Sequence, residues 1–182
     1  MSPRTSRRSG AAEPTRVFLE SFQNLVPLYL DTPWTAAEGV PADELDALLA
    51  QSPAAQENGG TAPVPLSLYE FHLALGSCPE LLENEHFFWD ADELEIRDGY
   101  LMFLEDAEES TVWGLPVSDA SLPDPLVWRR STGADADEGE WTNEGGTFSE
   151  FTLDLLEWTF GEEEDAPGQS PGGGAPGRRK GR

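Results

Sequence analysis

Side chains that could perform chemistry are few in this chain of 182 residues. It contains two histidines (His72 and His86), one cysteine (Cys78) and one lysine (Lys180). A zinc site usually takes three or four histidine, cysteine or carboxylate ligands, and the scattered spacing of these residues matches no such motif. Lys180 stands near the end of the chain, which leaves no lysine inside the domain for Schiff-base or phosphate chemistry. We therefore predict a protein that is not an enzyme and holds no metal and no cofactor.

Carboxylates are abundant, but they fit no motif for calcium binding or hydrolysis. Asp90-Ala91-Asp92 begins like an EF-hand loop, yet Leu94 stands where the third ligand belongs and Leu101 where the closing glutamate belongs. A pair of carboxylates could act as general acid and base. With 35 acidic residues, such pairs arise from composition alone. A hydrolase that uses unrecognised carboxylates is therefore an alternative to a protein-binding function.

One acidic group has a well-defined position in the sequence, because it lies between two predicted strands. It consists of Glu105, Asp106, Glu108 and Glu109. Loops that a sheet holds in place commonly carry binding function, and a basic partner would relieve the repulsion among like charges. We predict these four residues as partner contacts, together with Tyr100 and Met102 on the adjacent sheet face. The alternatives are a solvated hairpin tip and a sheet face covered by the chain itself.

A β-hairpin is predicted to position this loop. Asp98-Gly99 suits a two-residue type I′ turn, which needs a positive φ at both positions. The turn pairs Ile96 with Leu101 and places both on the core face. A third strand would bring Trp113 beside Leu101 on the same face, where we expect the indole to be buried. A fourth strand is predicted around 126–128.

Helical spacing of apolar residues and boundary signals predict helices on both sides of the sheet. The predicted helical segments are 15–30, with a kink or end at Pro27, then 42–50, 67–75, 80–83 and 148–160. Capping boxes mark two helix starts, Ser67 with Glu70 and Thr147 with Glu150. The intervening segment 51–64 is interpreted as a surface loop or an insertion, and 134–140 as an acidic loop.

This order of elements predicts an α+β fold, a small antiparallel β-meander sheet packed with N-terminal helices and a buried C-terminal helix. Residues 15–162 would form a single domain. Residues 1–14 and 163–182 are predicted to be disordered tails, the second one acidic and then rich in glycine, proline and arginine. No apolar run approaches the roughly 18 residues of a membrane span, and no apolar segment follows the arginine-rich start. We therefore predict a cytoplasmic protein without a signal peptide.

Charge sets the class of partner. The formal net charge is −24, and residues 15–162 hold four arginines against 31 acidic residues. Such a body repels phosphate backbones, whose binding depends on lysine and arginine, so direct binding of nucleic acid is not expected. It attracts basic proteins and raises the rate at which they associate with it. The alternative is that the charge serves only solubility.

The order and spacing of several short motifs resemble the SUKH superfamily, which contains fungal cell-wall regulators and many bacterial immunity proteins. The resemblance covers residues 64–160. Its motifs are Leu66 to Gly76, Leu94 to Phe103, Trp113-Gly114-Leu115, Asp124-Pro125, Trp141, Ser149-Glu150-Phe151 and Leu155-Leu156. Many bacterial relatives carry Glu-Asn-Gln between the second and third strands, whereas this chain has Asp106-Ala107-Glu108.

The resemblance implies an α+β domain that binds another protein and has no catalytic activity. Bacterial members are typically immunity proteins that neutralise a toxin, often a nuclease, delivered between competing cells. An acidic surface suits this role, because a nuclease cleft is basic. The alternative is a regulatory or scaffolding adaptor of the same fold with a housekeeping protein as its partner.

Overall fold

A computed structural model of the chain describes residues 16–132 and 139–161. These residues form an α+β fold, as predicted, with helices and a six-stranded sheet. The two predicted tails, 1–14 and 163–182, and residues 134–138 of the predicted acidic loop lie outside the described residues. Among the described helices the longest has 13 residues, and none is long and apolar enough to cross a membrane.

The elements follow one another as helices, strands and a final helix. The α-helices are α1 Leu19–Gln23, α2 Leu25–Leu30, α3 Ala42–Gln51, α4 Pro53–Glu57, α5 Leu66–Leu75, α6 Pro79–Leu82 and α7 Phe148–Phe160. The strands are β1 His86–Phe88, β2 Glu95–Arg97, β3 Tyr100–Asp106, β4 Thr111–Pro116, β5 Leu126–Ser131 and β6 Thr142–Thr147. Short 3₁₀ turns cover Ala36–Glu38 and Val117–Asp119.

The sheet is antiparallel with the strand order β1-β3-β4-β5-β6. Strand β2 also pairs with β3, so two three-residue strands share one edge of β3. Strand β1 pairs with the end of β3 at 104–106 and β2 with its start at 100–102. Strand β6 forms the opposite edge of the sheet.

The predicted hairpin is confirmed. Asp98 and Gly99 have φ of 51° and 82°, and Ile96 pairs with Leu101. The predicted neighbour of Leu101 in the third strand is wrong, because the register shifts between Met102 and Leu104. Leu101 therefore faces Leu115, and Trp113 lies opposite Leu104. The indole of Trp113 is nevertheless buried, as expected.

An aromatic cluster at the centre of the core joins the helices to the sheet. Phe71 of α5 is fully buried. Its ring centroid lies 5.4 Å from Phe22 of α1, 5.6 Å from Phe148 of α7 and 4.8 Å from Phe88 of β1. Phe103 of β3 contacts Phe148 at 5.1 Å. Three of these four pairs are edge-to-face, a geometry that adds to the burial of apolar area. Five elements therefore meet at one point.

The first helices differ from the prediction. The helical segment breaks at Asn24, between α1 and α2, whereas the predicted kink or end was at Pro27. Pro27 is the third residue of α2, where a backbone N–H has no acceptor inside the helix and its loss costs little. Segment 51–64, interpreted as a loop or insertion, contains α4. The α4 residues Ala54 and Ala55 are fully buried, and Ala54 N donates to Leu94 O at 2.9 Å.

The capping box predicted for α5 is wrong. The helix begins one residue earlier, after Pro65, and Ser67 lies inside it, fully buried. The backbone N–H of Ser67 donates to Pro123 O at 2.9 Å, and Glu70 Oε2 accepts from Phe18 N at 2.6 Å. The contact of Ser67 is made by its backbone, while its Oγ is buried without a hydrogen-bond partner among the described residues. The carboxylate of Glu70 contacts the residue before α1. Gly76 ends the helix, with φ of −59° rather than a left-handed conformation.

The capping box predicted for α7 is confirmed. Glu150 N donates to Thr147 Oγ1 at 3.5 Å, and Thr147 N donates to Glu150 Oε2 at 3.0 Å. The expectation that this helix is buried around most of its circumference needs correction. Its buried residues are Phe148, Thr152 and Leu156, which form one stripe, while the side chain of Trp158 is 69% exposed. One face of α7 is thus open to solvent.

Candidate protein-interaction site at the acidic turn

The last two residues of β3 and the connection to β4, residues 105–110, are together called the acidic turn. The carboxylate of Asp106 organises it. Asp106 Oδ1 accepts from the backbone N–H groups of Ser110 at 2.7 Å and Thr111 at 3.1 Å, and Oδ2 accepts from Ser110 Oγ at 2.5 Å. Glu109 takes a left-handed conformation with φ of 54° and donates its N–H to Asp106 O at 3.0 Å. The turn therefore has a fixed shape before any partner arrives.

Neighbouring segments hold the acidic turn from both sides. On the β1 side, Ala107 N donates to Glu85 O at 2.9 Å. On the β5 side, Thr132 N donates to Ser110 O at 2.8 Å, and Thr132 Oγ1 donates to Glu109 O at 2.7 Å. These bonds use the backbone of the turn and leave the glutamate carboxylates unused. Glu108 and Glu109 are exposed, and Glu105 and Asp106 are half-buried.

The two half-buried acids differ in their electrostatics. Desolvation raises the pKa of Asp106, but the hydrogen bonds from Ser110 and Thr111 outweigh it and bring the pKa below its ordinary value. Burial raises the pKa of Glu105, and the charge of Glu109 raises it further. Asp106 is thus stabilised as an anion inside the turn, whereas Glu105 gains no comparable hydrogen bonds. A cation from a partner would stabilise the charged form of Glu105.

The negative surface extends to the segment between β1 and β2. Burial and the carboxylates of Glu93 and Asp92 raise the pKa of Asp90. The charge of Glu93 also contributes to the raised pKa of Glu105, which places the two acidic segments within electrostatic range of each other. Arg97 lies among them, with its guanidinium 5.7 Å from the ring centroid of Trp89 and its charge lowering the pKa of Glu105. The two segments thus form a surface that is mainly, not wholly, acidic.

The predicted site residues separate into two groups. Glu105, Asp106, Glu108 and Glu109 share the acidic turn, while Tyr100 and Met102 lie toward the other end of β3. Tyr100 is half-buried and stacks on Trp141, with ring centroids 4.1 Å apart. Met102 is fully buried, so its side chain stabilises the sheet and offers no surface to a partner. The chain itself covers most of this sheet face, the alternative considered from the sequence.

Two of the residues considered for metal binding, His72 and Cys78, are enclosed. His72 is buried in α5. Cys78 is buried, and one ligand atom each from Cys78, Glu38 and Glu80 lie within 4.8 Å of one another. Burial, followed by hydrogen bonding to Glu38, raises the pKa of the Cys78 thiol to about 12. A metal would therefore have to displace the thiol proton at neutral pH.

A depression of about 680 Å³ between β6 and α7 brings together Glu144, Glu150 and Asp154. Two of these carboxylates already have structural partners. Glu144 Oε1 accepts from Arg129 Nε and from Trp113 Nε1, each at 3.2 Å, and Glu150 belongs to the α7 capping box. A mechanism in which a pair of carboxylates acts as general acid and base needs both of them free to exchange protons with a substrate, and this arrangement leaves one.

Sequence reasoning missed a residue next to the acidic turn. Trp158 was assigned to a buried helix, but its indole lies at the surface, 6.1 Å from the ring of His86. His86 pairs with Asp106 across β1 and β3. The one signal in the sequence was that seven apolar residues in α7 are more than a single buried stripe needs.

Comparison of the chain with protein-family models, with curated proteins and with solved structures finds no match.

Proposed function

We propose that the protein is a non-enzymatic, SUKH-type immunity protein that binds and neutralises a basic toxin such as a nuclease. The observation that carries the proposal is the acidic turn, where hydrogen bonds fix the backbone and leave glutamate carboxylates facing solvent. The proposal places the protein in the bacterial cytoplasm, where an incoming toxin would meet it.

A fixed acidic turn favours a basic partner for two reasons. The backbone is already ordered, so binding loses less conformational entropy there than it would in a flexible loop. The turn also belongs to a chain with a net charge of −24, whose long-range field speeds the approach of a cation. A nuclease must carry a basic cleft to bind phosphates, and carboxylates in fixed positions can occupy the place of those phosphates.

The test begins with affinity capture of the tagged protein from a lysate of its source, washed at low and then at high salt. We expect a basic partner with nuclease activity that this protein abolishes. The partner is then used to measure association rates. Glu105, Glu108 and Glu109 are replaced together by Gln, and Asp106 is kept because it holds the turn. We expect association at low salt to slow by about 10-fold or more and its salt dependence to flatten.

The matched control removes the same number of charges elsewhere, by replacing the exposed Glu20, Glu44 and Glu57 with Gln. We expect this control to slow association by less than about 3-fold, because steering depends on charges near the contact. Equal effects of the two triple variants would contradict the assignment of the turn. A partner that has no toxic activity but still depends on the turn would instead support the regulatory or scaffolding adaptor.

A further inference from the structure

Trp158 is an unusual surface residue. Its side chain is 69% exposed, the highest value among the large apolar residues that the structure describes. An indole carries one of the largest apolar surfaces of any side chain, and leaving it in water forgoes the free energy of burial. Tryptophan is also enriched among the residues that dominate the energy of protein interfaces. These properties make Trp158 a candidate contact residue, and its surroundings indicate what it contacts.

The indole stands on an aromatic support. Its ring lies edge-on to His86 at 6.1 Å and 74°. The His86 ring in turn lies 5.4 Å from the indole of Trp113, which is buried in the sheet. These edge-to-face contacts connect the exposed indole to the buried part of the sheet.

The depression beside Trp158 has a volume of about 450 Å³ and is lined by Asn84, Glu85, Trp158, Thr159 and Phe160. No basic side chain of the described residues lines it. Glu85 is exposed, and its carbonyl accepts from Ala107 of the acidic turn. The depression and the acidic turn therefore share a border. An aromatic face and a carboxylate next to each other are the two groups that a guanidinium contacts best.

The imidazole of His86, which contacts the indole of Trp158, does not repel a cation. Desolvation lowers the pKa of His86, and the opposing charges of Glu85 and Asp106 do not reverse this effect. The ring is therefore neutral at physiological pH. A neutral imidazole adds no positive charge to the surface that Glu85 and the acidic turn form.

We propose that the depression beside Trp158 is an arginine-binding subsite. An arginine of the basic partner stacks on the indole, and its guanidinium donates to the carboxylate of Glu85, while neighbouring basic residues of the partner meet the acidic turn. Arginine is preferred to lysine because the guanidinium is planar and more weakly hydrated than an ammonium group. This inference rests on the proposed function, since it names the residue type that the same surface recognises.

The test uses fluorescently labelled peptides of eight arginines and of eight lysines as probes. We expect the full-length protein to bind the arginine peptide more tightly. Trp158→Ala should weaken that binding by about 5-fold, the range of a partly exposed cation–π contact, and should remove most of the preference over lysine. Trp158→Phe should retain part of the affinity. Leu28→Ala is the matched control, because Leu28 is 64% exposed on α2, and we expect it to bind like the unmodified protein.

The outcomes separate this inference from the proposed function. If Trp158→Ala binds both peptides like the unmodified protein while the Gln variant of the acidic turn loses affinity, the arginine subsite is refuted and the proposed function stands. If Trp158→Ala loses affinity and the Gln variant does not, the subsite stands and the acidic turn is not the contact. An equal loss for both peptides in Trp158→Ala would refute the preference for arginine.

Discussion

Acid should destabilise the protein through His72, and replacing this residue should remove part of that sensitivity. His72 lies on α5 with 2% of its surface exposed, and its Nε2 is buried without a hydrogen-bond partner. Burial alone lowers the pKa of the imidazole to about 4 from the ordinary value of 6.5. The folded protein therefore holds His72 neutral at pH values where the unfolded chain has already bound a proton.

The sign and size of the effect follow from this difference. Between pH 6.5 and pH 4 the unfolded chain binds more protons, so the free energy of unfolding falls as the pH falls. One pKa unit corresponds to about 1.4 kcal/mol. With the two pKa values above, His72 costs about 2 kcal/mol at pH 5 and about 3 kcal/mol at pH 4, relative to pH 7. Below pH 4 its contribution levels off.

The assay is urea unfolding of the unmodified protein and of His72→Leu at intervals from pH 7 to pH 4. The difference in unfolding free energy between the two proteins should change by about 2 kcal/mol in favour of the variant between pH 7 and pH 5. This comparison holds only while the slope against urea stays constant. His86→Gln is the control, because His86 is only half-buried and its effect should be smaller. Parallel curves for the unmodified protein and His72→Leu would refute the reasoning.

Two further substitutions test local conformation, and each is compared with a control substitution by urea unfolding. Gly99→Ala should lower the free energy of unfolding by about 1 kcal/mol, because alanine disfavours the φ of 82° at this position. The control Gly146→Ala should change the free energy of unfolding little, since the nearest atom to its added Cβ is 3.7 Å away. Equal effects would contradict the turn assignment. Thr147→Ala should cost about 1 kcal/mol by removing the α7 cap, and Thr159→Ala, within the same helix, should cost less. If Thr147→Ala leaves the free energy of unfolding unchanged, the cap contributes nothing to stability.

Features of the fold that depend on a few adjacent residues were predictable. The Asp98-Gly99 turn and the Thr147 capping box each rest on local backbone geometry, and both are present. The acidic turn was predictable for the same reason, since it joins two strands of a meander. Helix α4 had a local signal that was overlooked, because Ser52 at the N-cap followed by Pro53 is a typical helix start.

Features that depend on contacts between distant segments were not predictable. Ser67 looked like an N-cap, but the backbone of Pro123 and the burial of α5 determine its role. The six residues of β6 contain no alternating apolar pattern, and their strand conformation depends on pairing with β5. The exposure of Trp158 likewise depends on which stripe of α7 meets the sheet, which the apolar content of the helix does not specify.

The two outer edges of the sheet bear on how copies of the chain meet one another. On one side, β1 and β2 present only three residues each, separated by the segment 89–94. On the other side, the pairing of β6 with β5 is irregular, and Gly145 there has φ of 87°. Short or bulged edges offer no long row of free peptide groups to a further strand. We expect concentrated solutions of the protein to resist fibril formation, with charge repulsion and edge geometry acting in the same direction.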